Sequence, residues 1–258
     1  MTTTTTAGPG SRVMTWPGLA DPIALFLDFD GTLIDIAGTP TSVTVPPGLA
    51  DLLLGLRGVL GGALAIVSGR RIVDIDRLLE PATFVTAGLH GAEYRTSPRE
   101  TVRPTAPVLP EAFVGALLGV GHRFPGVRVE WKGPSASVHW REAPGCVPAL
   151  RAALLDLLDR APAHLVMTDG RCVFEIGPKH VSKGAALEIL CGLPTFAGRR
   201  PIMIGDDVSD ESAFATAERL GGIGFRVAGE TFPVEDADFA SPRRVREWLS
   251  LILAGGER

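Results

Sequence analysis

Short, mostly apolar runs recur along the chain at residues 24–27, 63–67, 83–87 and 202–204. Each run ends in a turn signal, which is typical of strands that are buried on both faces of a parallel sheet. The segments between these runs place apolar residues at helical spacing, as in the leucines of 49–56. Alternating strands and helices predict an α/β fold, with a doubly wound parallel sheet covered by helices.

The pattern changes between residues 99 and 177. A segment with three prolines, Thr101–Pro110, is typical of a linker and precedes two helices that alternate with two hairpins. The second hairpin is predicted to turn at Asp169-Gly170. This order predicts an antiparallel sheet with helices on one face, inserted into the first fold. The predicted organisation is a mobile tail at 1–20, a core at 21–98 and 178–258, and an inserted α+β domain at 99–177.

The composition of the chain limits the kinds of binding partner and cellular compartment that we expect. The 258 residues are 45% hydrophobic and carry a net charge of −4, so no basic surface predicts binding to nucleic acid or to an acidic membrane. No stretch reaches the roughly 18 to 20 apolar residues of a membrane-spanning helix. The chain has three cysteines and no C-x-x-C pair, so we expect free thiols and a location in the reducing cytoplasm. The oligomeric state stays open, and a monomer is compatible with the sequence.

Two carboxylates follow the first predicted strand in the sequence D-F-D-G-T, at Asp28 and Asp30. In open α/β sheets ligands bind at the carboxyl ends of the strands. One interpretation is therefore a carboxylate nucleophile beside a Mg²⁺ site. The alternative is a strand that ends in an Asx turn with both acids solvated, since Asp-Gly is a common turn pair.

Further polar groups follow later strands. Ser68 precedes a helix predicted near 71–79, whose amino-terminal amides would face the same anion as Ser68. The alternative role for Ser68 is that of a helix N-cap. His90 lies between two glycines and is either a cleft residue or a structural histidine. Lys183 opens a predicted helix, and the acidic loop 205–211 follows the strand at 202–204.

Four of these features resemble the sequence motifs of the haloacid-dehalogenase superfamily of phosphotransferases: D-F-D-G-T from 28, the turn at Ser68, Lys183 and the acidic loop 205–211. The resemblance implies that Asp28 attacks phosphorus and that Asp30 serves as acid and base. A carboxyl in that role needs a raised pKa, which crowding by other acids can supply. The resemblance also implies roles for Ser68 and Lys183 in binding the phosphoryl group. A Mg²⁺ cofactor would be held by Asp28, the backbone carbonyl of Asp30 and Asp206. The surrounding residues implied by the resemblance are Thr32, Arg70, Asp207 and Asp210.

The inserted segment resembles the C2-type cap of trehalose-6-phosphate phosphatases. The matching stretches are A-G-L-H-G-A-E from 87, E-W-K from 130, S-V-H-W-R from 137 and F-E-I-G-P-K from 174. The resemblance implies Mg²⁺-dependent hydrolysis of trehalose 6-phosphate through an aspartyl-phosphate, within trehalose biosynthesis. The substrate-binding residues it implies are His90, Glu130, Lys132, Arg141 and Glu175.

Alternatives to this assignment remain at this point. Glu130 and Lys132 could form an ion pair on a solvated sheet, and His139 and Arg141 could line an exposed face. The enzyme could act on another sugar phosphate, such as sucrose 6-phosphate. A non-catalytic sugar-phosphate sensor would have lost Asp28, Asp30 or Asp206, and all three are present.

Overall fold

The computed structural model describes residues 22–36, 43–170 and 172–256, so the predicted tail at 1–20 lies outside the described residues. The strands are β1 (Ile23–Leu27), β2 (Leu64–Val67), β3 (Val85–Gly88), β4 (Glu93–Arg95), β5 (Arg103–Pro104), β6 (Arg128–Trp131), β7 (Ala136–His139), β8 (Leu165–Gly170), β9 (Val173–Pro178), β10 (Arg200–Gly205) and β11 (Ile223–Arg226). The α-helices are α1 (Leu49–Val59), α2 (Ile72–Leu79), α3 (Glu111–His122), α4 (Val147–Leu158), α5 (Lys183–Cys191), α6 (Glu211–Arg219) and α7 (Pro242–Gly256).

Seven strands form the large sheet in the order β11-β10-β1-β2-β3-β4-β5. Strands β11, β10, β1, β2 and β3 are parallel, and β4 and β5 extend one edge in antiparallel fashion. The chain leaves β1 toward β2 on one side and later returns to β10 on the other. Strand β1 is therefore at the switch point of the sheet, where a crevice opens at the carboxyl ends of the strands.

The central strands are buried along their whole length, because helices cover both faces of the sheet. Every residue of β1, β2 and β3 is buried. Helix α1 packs against α7, and α5 packs against α6. The apolar runs of the sequence thus lie in one core, which includes Phe26, Phe196 and Phe214. Burial of these runs leaves the polar residues that follow β1, β2 and β10 at the carboxyl ends of the strands.

The second, small sheet is antiparallel, with the order β6-β7-β9-β8. Its alternating residues Val138, Phe174 and Ile176 are buried in a separate core with Leu117 of α3 and Leu150 of α4. Successive side chains of a strand point to opposite faces. The other face of the small sheet therefore carries the polar side chains of β6, β7 and β9.

Two predicted boundaries need correction. Strand β5 lies within the stretch predicted to be a linker, and it pairs with β4 in the large sheet. The predicted division at 98/99 therefore falls inside that sheet, and the small sheet's part of the chain begins after Pro104. The predicted turn at Asp169-Gly170 is wrong, because both residues belong to β8, where they pair with Phe174 and Val173 of β9. The division into two domains itself stays a prediction.

The remaining global expectations concern cysteines and membrane spans. Cys146, Cys172 and Cys191 are all free and half-buried. Among the helices of the described ranges, none combines the length and apolarity that crossing a bilayer requires.

Candidate active site

Three polar side chains meet where three neighbouring strands end. Asp28 follows β1, Ser68 follows β2 and Asp206 follows β10, and β1 lies between the other two strands. All three residues are buried, at 4%, 1% and 4% exposure. The solvated Asx turn considered for Asp28 is therefore wrong, and these strand ends form the floor of a cleft.

Lys183 is the centre of a buried charge cluster. Its Nζ donates hydrogen bonds of 2.8 Å to Asp28 Oδ1 and to Asp210 Oδ1. The other oxygen of Asp210 accepts the backbone N–H groups of Asp206 and Asp207, at 3.2 and 3.1 Å. Helix α5 begins at Lys183, and the side chain of Ser182 caps that helix by accepting from the amide of Ala185. The cap fixes the first turn of α5 and with it the root of the lysine side chain.

Burial shifts the protonation of this cluster. Burial raises the pKa of Asp28 well above its ordinary value; Lys183 opposes the shift, and Asp210 and Asp206 add to it. Burial and then the charge of Asp210 raise the pKa of Asp206 to about 7. Burial alone would lower the pKa of Lys183, but Asp210 and Asp28 outweigh it and the net shift is upward. The ammonium therefore stays charged beside three crowded acids.

The cluster fits a hard cation. One carboxylate oxygen from each of Asp28, Asp206 and Asp210 lies within 4.8 Å of the others. Asp206 Oδ1 is buried and has no hydrogen-bond partner among the described residues, whereas both oxygens of Asp210 are engaged. Oxygen ligands of this kind suit Mg²⁺. Asp28 and Asp206 are thus the side chains with ligand capacity left.

Asp30 occupies a different environment from the one predicted. It accepts hydrogen bonds from Arg70 Nε at 2.5 Å and from Arg70 Nη2 at 2.6 Å. The crowded acids are Asp28, Asp206 and Asp210, whereas the partner of Asp30 is a guanidinium. The neighbours predicted for Asp30 are acids, whereas its hydrogen-bond partner is Arg70, which reaches it from the loop after β2.

The loop after β2 also corrects two expectations about helix α2. The N-cap of α2 is Arg71, and Ser68 Oγ instead accepts the backbone N–H of Arg70 at 3.2 Å. The amide of Ile72, at the start of α2, donates to Glu93 at 2.5 Å. The N-cap role for Ser68 is thus wrong. The predicted free anion site at this helix start is likewise occupied, since the chain's own carboxylate fills it.

His90 packs directly over this loop. The residue has a left-handed φ of 58°, and its amide donates to the backbone oxygen of Ser68 at 2.9 Å. A Cβ at Gly69 would lie 2.7 Å from the imidazole, so the glycine is required for this approach. Burial, then the charges of Lys183 and Lys132, lower the pKa of His90 well below its ordinary value. The imidazole is therefore neutral at pH 7.

The small sheet places three charged side chains over the cleft. Lys132 Nζ lies 3.9 Å from Glu130 Oε2 and 3.7 Å from Glu175 Oε1. The side chain of Lys132 is only 14% exposed. The three residues line the cavity between the two sheets, and the predicted ion pair of Glu130 and Lys132 is present, with Lys132 largely buried and Glu130 exposed.

The cavity between the sheets has a volume of about 310 Å³. It is lined by most of the residues predicted for the site: Asp28, Asp30, Ser68, Arg70, His90, Glu130, Lys132, Arg141, Glu175, Lys183, Asp206 and Asp207. The other two, Thr32 and Asp210, are fully buried behind its wall. The hydroxyl of Thr32 has no hydrogen-bond partner in the described part of the chain.

Sequence reasoning missed residues that line the cavity and residues that contact its lining. Arg128 and His139 line it. Arg128 lies two residues before Glu130 in β6, so strand alternation could have identified it. His139 had been considered only as a residue of an exposed face. Glu230, which lies 3.7 Å from Arg141, comes from a loop that no motif marks. The next residue, Thr231, donates a hydrogen bond from its hydroxyl to Asp207 Oδ1 at 3.1 Å.

Comparison with known proteins adds a family to this geometry. The sequence profile described as Trehalose-phosphatase matches residues 26–246. The chain belongs to the trehalose-phosphatase family. It is 43% identical over 218 residues to a probable trehalose-phosphate phosphatase of Sinorhizobium fredii, covering 84% of this chain and 82% of the relative. It is 36% identical to the trehalose-6-phosphate phosphatase of Escherichia coli, over 92% and 88% of the two chains.

The fold agrees with this family. A haloacid dehalogenase-like hydrolase from Bacteroides thetaiotaomicron superposes with a TM-score of 0.64 at 17% identity, covering 89% of this chain and 99% of that one. The predicted family and the predicted HAD-like α/β fold are both confirmed. The chemical roles assigned to individual residues stay predictions.

Proposed function

We propose that this protein hydrolyses trehalose 6-phosphate to trehalose and inorganic phosphate. One observation carries the proposal: the buried Asp28–Lys183 pair and the Glu130–Lys132–Glu175 group line the same cavity. The first group suits a phosphoryl centre and the second suits sugar hydroxyls. The names of the two relatives above point to the same substrate.

In the first step, a carboxylate oxygen of Asp28 attacks phosphorus and the bond from phosphorus to the sugar oxygen breaks. Asp30 gives its proton to the leaving oxygen, which requires that the carboxyl first turns away from Arg70 and takes up a proton. In the second step Asp30 accepts a proton from water, the water oxygen attacks the aspartyl-phosphate, and Asp28 is released with phosphate. Ser68 donates to a phosphoryl oxygen, and Lys183 balances its charge.

Asp28, Asp206 and the backbone carbonyl of Asp30 would hold the Mg²⁺ that this family resemblance implies. When bound, the ion neutralises charge on the phosphoryl oxygens. The unpartnered oxygen of Asp206 supports this assignment. Asp210 accepts hydrogen bonds from Lys183 and from the backbone amides of Asp206 and Asp207, and Asp207 accepts one from Thr231.

On the sugar side, Glu130, Lys132 and Glu175 would bind hydroxyls of the distal glucose, since charged acceptors and donors form strong hydrogen bonds in a closed site. The neutral imidazole of His90 can both donate and accept from its position beside the lysines. Arg141 reaches the cavity from the end of β7. We place the reaction in the cytoplasm, in keeping with the free cysteines.

Phosphate release from trehalose 6-phosphate, sucrose 6-phosphate, glucose 6-phosphate and p-nitrophenyl phosphate, with Mg²⁺, tests this proposal. We expect kcat/KM for trehalose 6-phosphate to exceed the other values by at least tenfold. Asp28→Asn is the blank and should lose all detectable turnover while keeping the circular dichroism of the wild type.

Other outcomes are equally informative. A preference for sucrose 6-phosphate would keep the phosphatase chemistry and overturn the assignment of the sugar. Normal turnover by Asp28→Asn would overturn the nucleophile. Absence of turnover with every substrate would favour a sugar-phosphate sensor.

A further inference from the structure

The face of the small sheet that borders the cavity carries polar side chains in register. Glu130 of β6 lies opposite Ser137 of β7, and Ser137 lies opposite Glu175 of β9. Directly opposite residues in antiparallel strands have Cβ atoms about 4.5–5.5 Å apart. Ser137 is thus between the two glutamates of the proposed sugar site. It is fully buried although it is polar.

The hydroxyl of Ser137 holds Glu175 directly. Its Oγ lies 2.8 Å from Oε1 and 2.9 Å from Oε2 of that residue. A carboxylate only accepts, so the hydroxyl is the donor. Contact with both oxygens restrains the rotation of the carboxylate about its last bond. Lys132, at 3.7 Å, is beyond hydrogen-bond length from the same group and cannot supply that restraint.

His139 holds the second glutamate. It is two residues beyond Ser137 on the same face and is therefore a diagonal neighbour of Glu130 across the β6–β7 pair. Its Nε2 lies 3.1 Å from Glu130 Oε2. This hydrogen bond is the largest cause of the lowered pKa of Glu130, which keeps that group an ionised acceptor. Without this hydrogen bond, the half-exposed carboxylate would keep only the longer contact with Lys132 Nζ, at 3.9 Å, as an ion pair among the described residues.

We propose that Ser137 and His139 are positioning residues that orient Glu175 and Glu130 toward the hydroxyls of the sugar. This inference rests on the proposed function and deepens it. Each glutamate has its own donor on β7, and Lys132 lies between the two carboxylates. Orienting a flexible glutamate before the substrate arrives reduces the entropy that binding would otherwise cost. Strand β7 thus determines preference for a hydroxyl-rich substrate.

The test compares kcat and KM for trehalose 6-phosphate and for p-nitrophenyl phosphate, which lacks sugar hydroxyls. Ser137→Ala should lower the ratio of the two kcat/KM values roughly tenfold, mainly through KM, as expected for loss of one charged hydrogen bond. His139→Ala should lower the ratio by roughly threefold, because Glu130 is the more exposed glutamate. His139→Gln keeps an N–H donor and should restore most of the ratio.

Ser135→Ala is the matched control. Ser135 is a buried serine of the same hairpin, and in the described part of the chain its hydroxyl is hydrogen-bonded to neither glutamate. Its substitution should leave the ratio unchanged. Equal losses on both substrates in Ser137→Ala, or an unchanged ratio, would overturn the inference. Absence of a preference in the wild type would instead overturn the proposed function.

Discussion

At the scale of single residues, the conformation of the loop after β1 depends on one glycine. Gly31 follows Asp30 with a φ of +77°, and a Cβ added there would lie 2.0 Å from Asp206 Oδ2. Two constraints therefore coincide: a left-handed backbone and a close approach to a carboxylate. The motif D-x-D-G-T requires a glycine at this position because any side chain would collide with the carboxylate of Asp206.

Gly31→Ala should displace the Asp206 carboxylate and lower kcat/KM at least a hundredfold. Gly198→Ala is the control, because Gly198 has nearly the same φ of +74° but has nothing within 4 Å of its added Cβ. Both substitutions should cost about 1–2 kcal/mol of stability through the left-handed backbone. Only the first should reduce turnover, measured as phosphate release. Equal activity in the two variants would show that the contact with Asp206 is dispensable.

At the scale of elements, helix α2 is fastened to strand β4 at two points one helical turn apart. Glu93 accepts from the amide of Ile72, and Arg95 pairs with Asp76 through two hydrogen bonds of 2.6 Å. Glu93 and Arg95 lie on the same face of β4, since they are two residues apart. These ties hold the start of α2 and therefore the preceding loop that carries Ser68.

Arg95→Met should lower the free energy of unfolding by roughly 3 kcal/mol, because it leaves Asp76 without its buried partner. Arg160→Met removes a pair with both oxygens of Asp156, at 2.7 Å, but that pair is exposed on one helix. Its cost should stay below about 1 kcal/mol. Urea unfolding of the two variants gives the comparison. Similar values would mean that burial of the Arg95 pair contributes nothing.

At the scale of the whole molecule, the fold brings three buried acids together in the cleft: Asp28, Asp206 and Asp210. Burial, Asp210 and Asp207 raise the pKa of Asp206 from 3.8 to about 7, against the opposing charge of Lys183. The folded state therefore keeps a proton that the unfolded state releases. The contribution of Asp206 to stability without metal therefore falls as the pH rises from about 4 to about 7.

Comparison with Asp206→Asn isolates this effect. In EDTA, the variant should gain stability over the wild type as the pH rises from 4 to 7.5, by an amount on the order of 4 kcal/mol at most. At pH 7.5, Mg²⁺ should stabilise the wild type by an amount that grows with the logarithm of the Mg²⁺ concentration above its Kd, and the variant much less. Urea unfolding at each pH measures both differences. A difference between the two proteins that does not vary with pH would contradict the raised pKa.

The sequence by itself determined the central strands, most of the helices and the polar residues that follow the central strands. Apolar runs such as residues 24–27 can be satisfied only by burial, so their positions and the polar residues that follow them were predictable. Parallel order then places Asp28, Ser68 and Asp206 at one edge of the sheet. Alternation in β6 likewise identified Glu130 and Lys132 as neighbours on one face.

Only the tertiary structure decided which partners these groups meet. That Asp30 pairs with Arg70, that Glu93 occupies the start of α2 and that β5 joins the large sheet all depend on contacts between distant segments. Ser137 and His139 have ordinary sequence surroundings, and their importance follows from the register of three strands. Local pattern reports the period of burial, whereas hydrogen-bond partners depend on how the elements pack in three dimensions.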